Sequence, residues 1–191
     1  MSEVELMGNV IADTKKVVAG IKPDQLADPT PCTEWDVKAL LNHITGGSLM
    51  FAECVESGSI ADDEMGRLTT SDLVGDDYVR VFGAAADRAI AAFNADGALE
   101  KIVTLPFGTM PASVALQIAV FDVTTHALDL AHATGQSTEV ISPEVLQAAW
   151  DAGQAMIGPE LRDAGLFGPP QDAPTDAPLD DRILAFAGRQ I

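Results

Sequence analysis

The sequence predicts an all-α protein, a four-helix bundle with one long connection and additional helices at the C-terminus. Three observations predict it. Four long segments repeat apolar residues at helical spacing. Ser, Thr, Asp or Pro precedes most of these segments and Gly follows them, the usual start and stop signals of helices. No segment alternates strongly enough to predict a strand. At 191 residues the chain is long enough to bury a core in one domain, with the bundle over about 1–136 and a helical extension over about 137–191.

The first helix starts at Ser2, which with Glu5 forms a capping box. Val4, Met7, Val10, Ile11, Thr14, Val17 and Val18 then share one face, and the helix stops near Gly20. Pro23, Pro29 and Pro31 make the next stretch a loop. Thr33 with Asp36 provides the cap of the second helix, whose stripe is Val37, Leu40, Leu41, Ile44, Ser48, Phe51, Ala52 and Val55. Residues 57–77 are polar and acidic, with Gly58, Gly66 and Gly75, and are expected to form a surface connection.

A third helix is expected over roughly 76–95, carried by Tyr78, Val79, Phe82, Ala86, Ala89, Ile90 and Phe93. Lys101 to Met110 is extended or irregular. Pro111 suits the first turn of a fourth helix and Gly135 its end. That helix is apolar almost all round, which marks it as central and buried. Ser142 and Pro143 open a fifth helix with Val145, Leu146, Ala149, Trp150 and Met156. A Gly/Pro-rich stretch over 158–178 leads to a short helix, Asp180 to Ala187, expected to dock by Ile183, Leu184 and Phe186.

Eleven basic residues against 29 acidic ones give a formal charge of −18, which repels nucleic acid and anionic membranes. Ile102 to Phe121 is uncharged and nominally of membrane length, but Pro106, Gly108 and Pro111 break it, so a loop entering a buried helix is expected. The N-terminus lacks a basic region followed by an apolar run, so no signal peptide is expected. Cys32 and Cys54 have no paired spacing. Together these features point to a reducing cytoplasm.

The chemistry-bearing residues are few. Among only three histidines, His126 lies four residues after Asp122, on the same face of the fourth helix. Two ionisable groups on a near-apolar helix cost desolvation unless paired or metal-bound. His43 sits at the flank of the second helix's apolar stripe, with Gly47 one turn on leaving space above the ring. Two histidines and a carboxylate suit zinc or a similar divalent metal with one position open. The competing reading of Asp122 is an arginine pair or a cap, and that of His126 a satisfied core histidine. Asp129 is either an orienting partner of a ligand or an ordinary salt-bridge residue. Cys32 is either an activated thiol near a helix start or a small packing residue. Trp35 and Trp150 line the core or a groove, and His132 falls on a different face from His126.

Two runs carry a family resemblance. Asp28-Pro-Thr-Pro-Cys32-Thr-Glu-Trp35-Asp-Val-Lys-Ala-Leu-Leu-Asn-His43 resembles the PTPCxxWxVxxLxxH signature of the mycothiol-dependent maleylpyruvate isomerase-like proteins, members of the DinB-like helix-bundle superfamily. His126-Ala-Leu-Asp-Leu-Ala-His-Ala-Thr-Gly135 resembles that family's HxWDLARATG segment. The ending, Asp181 to Arg189, is similar to the tail of a small uncharacterised subgroup. The resemblance implies a DinB-like bundle with a divalent metal, usually zinc, with nickel or another ion as the alternative. Carried over by motif, its ligands are His43, Asp122 and His126.

The family isomerase has Glu where Asp122 stands. This chain also departs from the pattern at Ala127, Leu128 and His132, and is too short for the isomerase's full C-terminal domain. The implied function is a metal-dependent thiol enzyme, a transferase or isomerase acting with mycothiol or a similar low-molecular-weight thiol on a small-molecule substrate. A non-catalytic metal- or ligand-binding stress-response module of the same fold is the alternative, and a homodimer is left open.

Overall fold

The structure, a computed structural model, describes residues 1–163 and 167–190. In chain order the elements are α1 (Glu3–Gly20), α2 (Val37–Ser57), α3 (Asp62–Thr70), α4 (Tyr78–Phe93), β1 (Ile102–Leu105), β2 (Gly108–Pro111), α5 (Ala112–Ala133), α6 (Pro143–Met156), α7 (Pro159–Asp163) and α8 (Leu179–Phe186). The four long helices expected from periodicity are α1, α2, α4 and α5, and they pack on one another around a common core. Residues 164–166 of the Gly/Pro-rich stretch lie outside the described residues.

The helix starts follow local chemistry. Both halves of the Ser2/Glu5 capping box form, at 2.7 and 3.2 Å. The cap of α2 is Asp36, whose carboxylate accepts from the Ala39 N–H at 2.7 Å. Thr33 has no such role, because it sits in a turn closed by the Trp35 N–H on the Cys32 carbonyl. Bonds from Val37 to Asp28 and from Lys38 to Leu26 fix the chain just before the helix. The Thr30 hydroxyl donates to the Trp35 carbonyl at 2.8 Å, which holds Trp35 over the start of α2.

Two stretches hold more structure than expected. The connection 57–77 contains α3, whose first turn carries Asp62, Asp63 and Glu64, suited to the positive end of a helix dipole. Leu68 is its one buried residue, so its sequence carries no apolar period. Residues 102–111 form an antiparallel hairpin that turns at Pro106 and Phe107, with Leu105 opposite Gly108. Val103 and Leu105 face inward, and Gly108 takes a φ of +147°, open to glycine. Four-residue strands are too short to stand out as an alternating pattern. Pro111 closes the hairpin and is the cap of α5, one residue earlier than the first-turn place expected for it.

Helix α5 runs through the centre and contacts α1, α2, α6 and α8. It is long and apolar enough to cross a membrane by length and composition, yet 78% of its most apolar window is buried within this fold. The extension packs onto it: Phe121 lies against Gly153 of α6, and Ile183 and Leu184 of α8 are fully buried. Fully burying an Ile or Leu contributes about 1.5–3 kcal/mol, so the C-terminal helix is held firmly.

Helices α2 and α3 meet at Gly46, where an added Cβ would lie 2.8 Å from the Leu68 carbonyl oxygen. Alanine favours helix over glycine by about 1 kcal/mol. A backbone clash costs about 1–3 kcal/mol. Gly46→Ala is therefore expected to destabilise the protein by about 1 kcal/mol, read as a lower denaturation midpoint with an unchanged slope.

Candidate metal centre

The capped start of α2 carries His43 into the interior, while Asp122 and His126 stand one turn apart on α5. The fold brings all three together. His43 Nε2 lies 3.3 Å from Asp122 Oδ1, and His126 Nε2 lies 3.4 Å from the same oxygen. Their potential ligand atoms are all within 4.8 Å of one another. Ligands bound to zinc at 2.0–2.1 Å in a tetrahedron stand about 3.3 Å apart, so this donor set fits such an ion.

Access is one-sided. The His126 side chain is 8% exposed, Asp122 26% and His43 35%, so the triad opens past His43. Trp35 covers another side, with its ring centroid 4.3 Å from that of His43 and 5.6 Å from that of His126. Gly47 leaves room beside the carboxylate, since an added Cβ would sit 3.9 Å from Asp122 Oδ2.

Behind the triad lies a buried charged pair. Asp129 is fully buried, and its Oδ2 lies 3.0 Å from His126 Nδ1. An ionised Asp129 fixes a proton on Nδ1, so Nε2, which faces Asp122 and His43, is the nitrogen a metal would take once its own proton leaves. Arg189, beyond α8, donates to Asp129 from Nη2 at 2.9 Å and from Nε at 3.3 Å. Both expectations for Asp129 hold at once: it orients His126 and it forms a salt bridge. The charges balance inside the site. Burial pushes the Asp122 carboxyl up, but the charges of His43 and His126 outweigh it and hold Asp122 well below the usual carboxylate range. Burial likewise opposes charge on His126, yet Asp122 and Asp129 raise its pKa to about 9. The two carboxylates therefore favour positive charge at His126 Nε2.

Asp122 pairs with two histidines, and not with the arginine its competing reading required. Cys32 is partly buried, which pushes its thiol up, and its Sγ joins His126 and Asp129 in a second group of ligand atoms within 4.8 Å of one another. Trp35 lines the groove as expected, and His132 is exposed and apart from the site. Arg189 was not anticipated as a site residue. It lies 60 residues from Asp129, and the one local hint was an arginine ending an apolar helix.

Residues 8–131 match the family described as the mycothiol maleylpyruvate isomerase N-terminal domain. Two proteins of Mycobacterium tuberculosis, from strains CDC 1551 and H37Rv and named as uncharacterized, are each 34% identical over 92% of this chain and 91% of their own length. The chain belongs to the mycothiol maleylpyruvate isomerase N-terminal domain family. Crystal structures of the mycothiol-dependent maleylpyruvate isomerase and of a histidine-to-alanine mutant of it superpose with a TM-score of 0.61 at 15% identity, covering 76% of this chain. That likeness is one of fold, the all-α DinB-like bundle, and the chain spans 65% of the isomerase's length. The family match contains His43, Asp122, His126 and Asp129 but ends well before Arg189.

Removing one partner of a buried ion pair costs about 3–5 kcal/mol because a charge is left uncompensated. Arg189→Met is expected to lower unfolding free energy by about 3 kcal/mol on this basis. Adding Asp129→Asn removes the stranded charge and recovers part of the loss, as urea titration of the single and double variants would show.

Proposed function

We propose that the chain holds one divalent metal ion, zinc in the first place, through His43 Nε2, Asp122 Oδ1 and His126 Nε2, and uses it to present a low-molecular-weight thiol such as mycothiol to a small-molecule substrate. The observation that carries this is the convergence of three metal-ligating atoms at one edge that opens past His43. The family to which the chain belongs, described by a mycothiol enzyme, supports a thiol as the partner. A divalent metal would supply Lewis acidity, which lowers the pKa of a coordinated thiol.

The chain's own residues have distinct tasks. Asp129 holds the Nδ1 proton of His126, so Nε2 is always the ligating atom. Trp35 fixes the His43 ring by stacking and keeps water from that side. Gly47 leaves free the space beside Asp122. The nucleophile comes from the thiol, because Cys32 is held protonated by burial.

Two measurements test this. Elemental analysis of untagged protein is expected to find one metal per chain, lost to background in His43→Ala while the variant stays folded. Full-length protein without stoichiometric metal would overturn the proposal. Cobalt-substituted protein titrated with mycothiol is expected to gain a near-ultraviolet thiolate-to-cobalt band. Metal uptake without that band would leave a structural metal and exclude the thiol role.

A further inference from the structure

The triad's exposed member, His43, also lines a cleft of about 740 Å³ between α2, α3 and the tip of the hairpin. If the metal's open position is taken by the thiol, as proposed above, a second substrate must be held by the walls of this cleft. Among the described residues, those walls offer an anion no lysine or arginine that is not already ion-paired.

Among the described residues, the one lysine or arginine lining the cleft is Lys38, and its ammonium lies 2.6 Å from Asp72 Oδ2. The second lining carboxylate, Asp36, caps α2. Apart from His43, the ionisable lining of one lysine and two aspartates sums to −1. The wider chain, at −18, adds to the same field.

Three of the neutral polar side chains are engaged within the wall. Asn42 accepts from the Leu73 and Val74 N–H groups and donates to the Lys38 carbonyl. The hydroxyls of Thr69 and Thr70 donate to carbonyls of their own helix. The rest of the wall is mostly apolar, through Trp35, Met50, Met65, Leu68 and, half-exposed at the hairpin tip, Phe107, with the Ser71 hydroxyl and the Trp35 indole N–H as neutral polar groups among them. Methionines are adaptable packing surfaces for apolar groups.

We infer that this cleft selects an uncharged, largely apolar substrate and rejects dicarboxylates, so that this chain's second substrate differs in charge class from a maleylpyruvate dianion. Lys38 and Asp72 set the specificity of the walls: the bridge masks the one lysine or arginine in the lining.

The test is a displacement titration on full-length protein, both zinc-loaded and chelator-treated. The neutral fluorophore N-phenyl-1-naphthylamine fills the cleft, and dimethyl phthalate or phthalate displaces it. An unpaired dianion among desolvated apolar walls is costly, so the diester should displace the probe at about tenfold lower concentration than the diacid. Asp72→Asn, at an exposed position, frees Lys38 and should strengthen phthalate alone by about fivefold, in line with a partly exposed charge pair. Phe107→Ala, also exposed, should weaken both the probe and the diester.

Absence of saturable probe binding, phthalate matching the diester in chelator-treated protein, or indifference to both substitutions would overturn the inference. Metal content, measured separately, distinguishes the two proposals. Protein that takes up zinc without preferring the diester would sink the substrate class alone. Protein that prefers the diester but takes no metal would sink the metal centre alone.

Discussion

A carboxylate without solvent exposure sits at the centre of this protein, and the arrangement around it depends on how that charge is met. Asp129 is on α5, the helix most enclosed by its neighbours. An ion in such a place costs several kcal/mol unless it is paired and hydrogen-bonded. Two partners satisfy it from opposite directions: His126 on the same helix and Arg189 from the far end of the chain. His126 in turn faces Asp122, and Asp122 faces His43 on α2. A single row of alternating charge therefore ties α2, α5 and the C-terminal tail together. The tail's register and the orientation of His126 are coupled, since both are set at the same carboxylate.

This coupling explains why the extension matters to the site even though it lies outside the family match. Ile183 and Leu184 anchor α8 on the bundle by apolar burial, which carries most of the docking energy. The backbone N–H of Arg189 then bonds the Leu184 carbonyl, and its Nη1 bonds the Ala187 carbonyl. The guanidinium is thereby aimed before it meets Asp129. Apolar packing supplies the affinity of the tail, and the ion pair supplies its register.

What could be read from the sequence follows from the range of each interaction. Helices with a long apolar period, α1, α2, α4 and α5, were legible because their burial repeats every turn. Helix α3 was not, since one buried leucine makes no period, and the hairpin was not, since four residues make no convincing alternation. Asp122 with His126 was legible as a local pair on one face. That His43 meets them depends on how α2 crosses α5, which no local pattern encodes; the motif resemblance, and not the spacing, linked it to the others. Arg189 lay beyond both, because a contact across 60 residues and three intervening helices leaves no local trace.

The middle residue of the triad was the one departure that put the ligand set in question, because aspartate is a methylene shorter than the glutamate of the family isomerase. The geometry offers a physical answer. Asp122 Oδ1 stands nearly equidistant from the two imidazole nitrogens, at 3.3 and 3.4 Å, so the shorter side chain still reaches the shared point. It does so where α2 presents consecutive glycines: Gly46 lets α3 approach closely, and Gly47 has no atom beyond its backbone to hold the carboxylate away. The reach of Asp122 therefore follows from how α2 crosses α5, while Gly46, by letting α3 approach, shapes the cleft beside the triad.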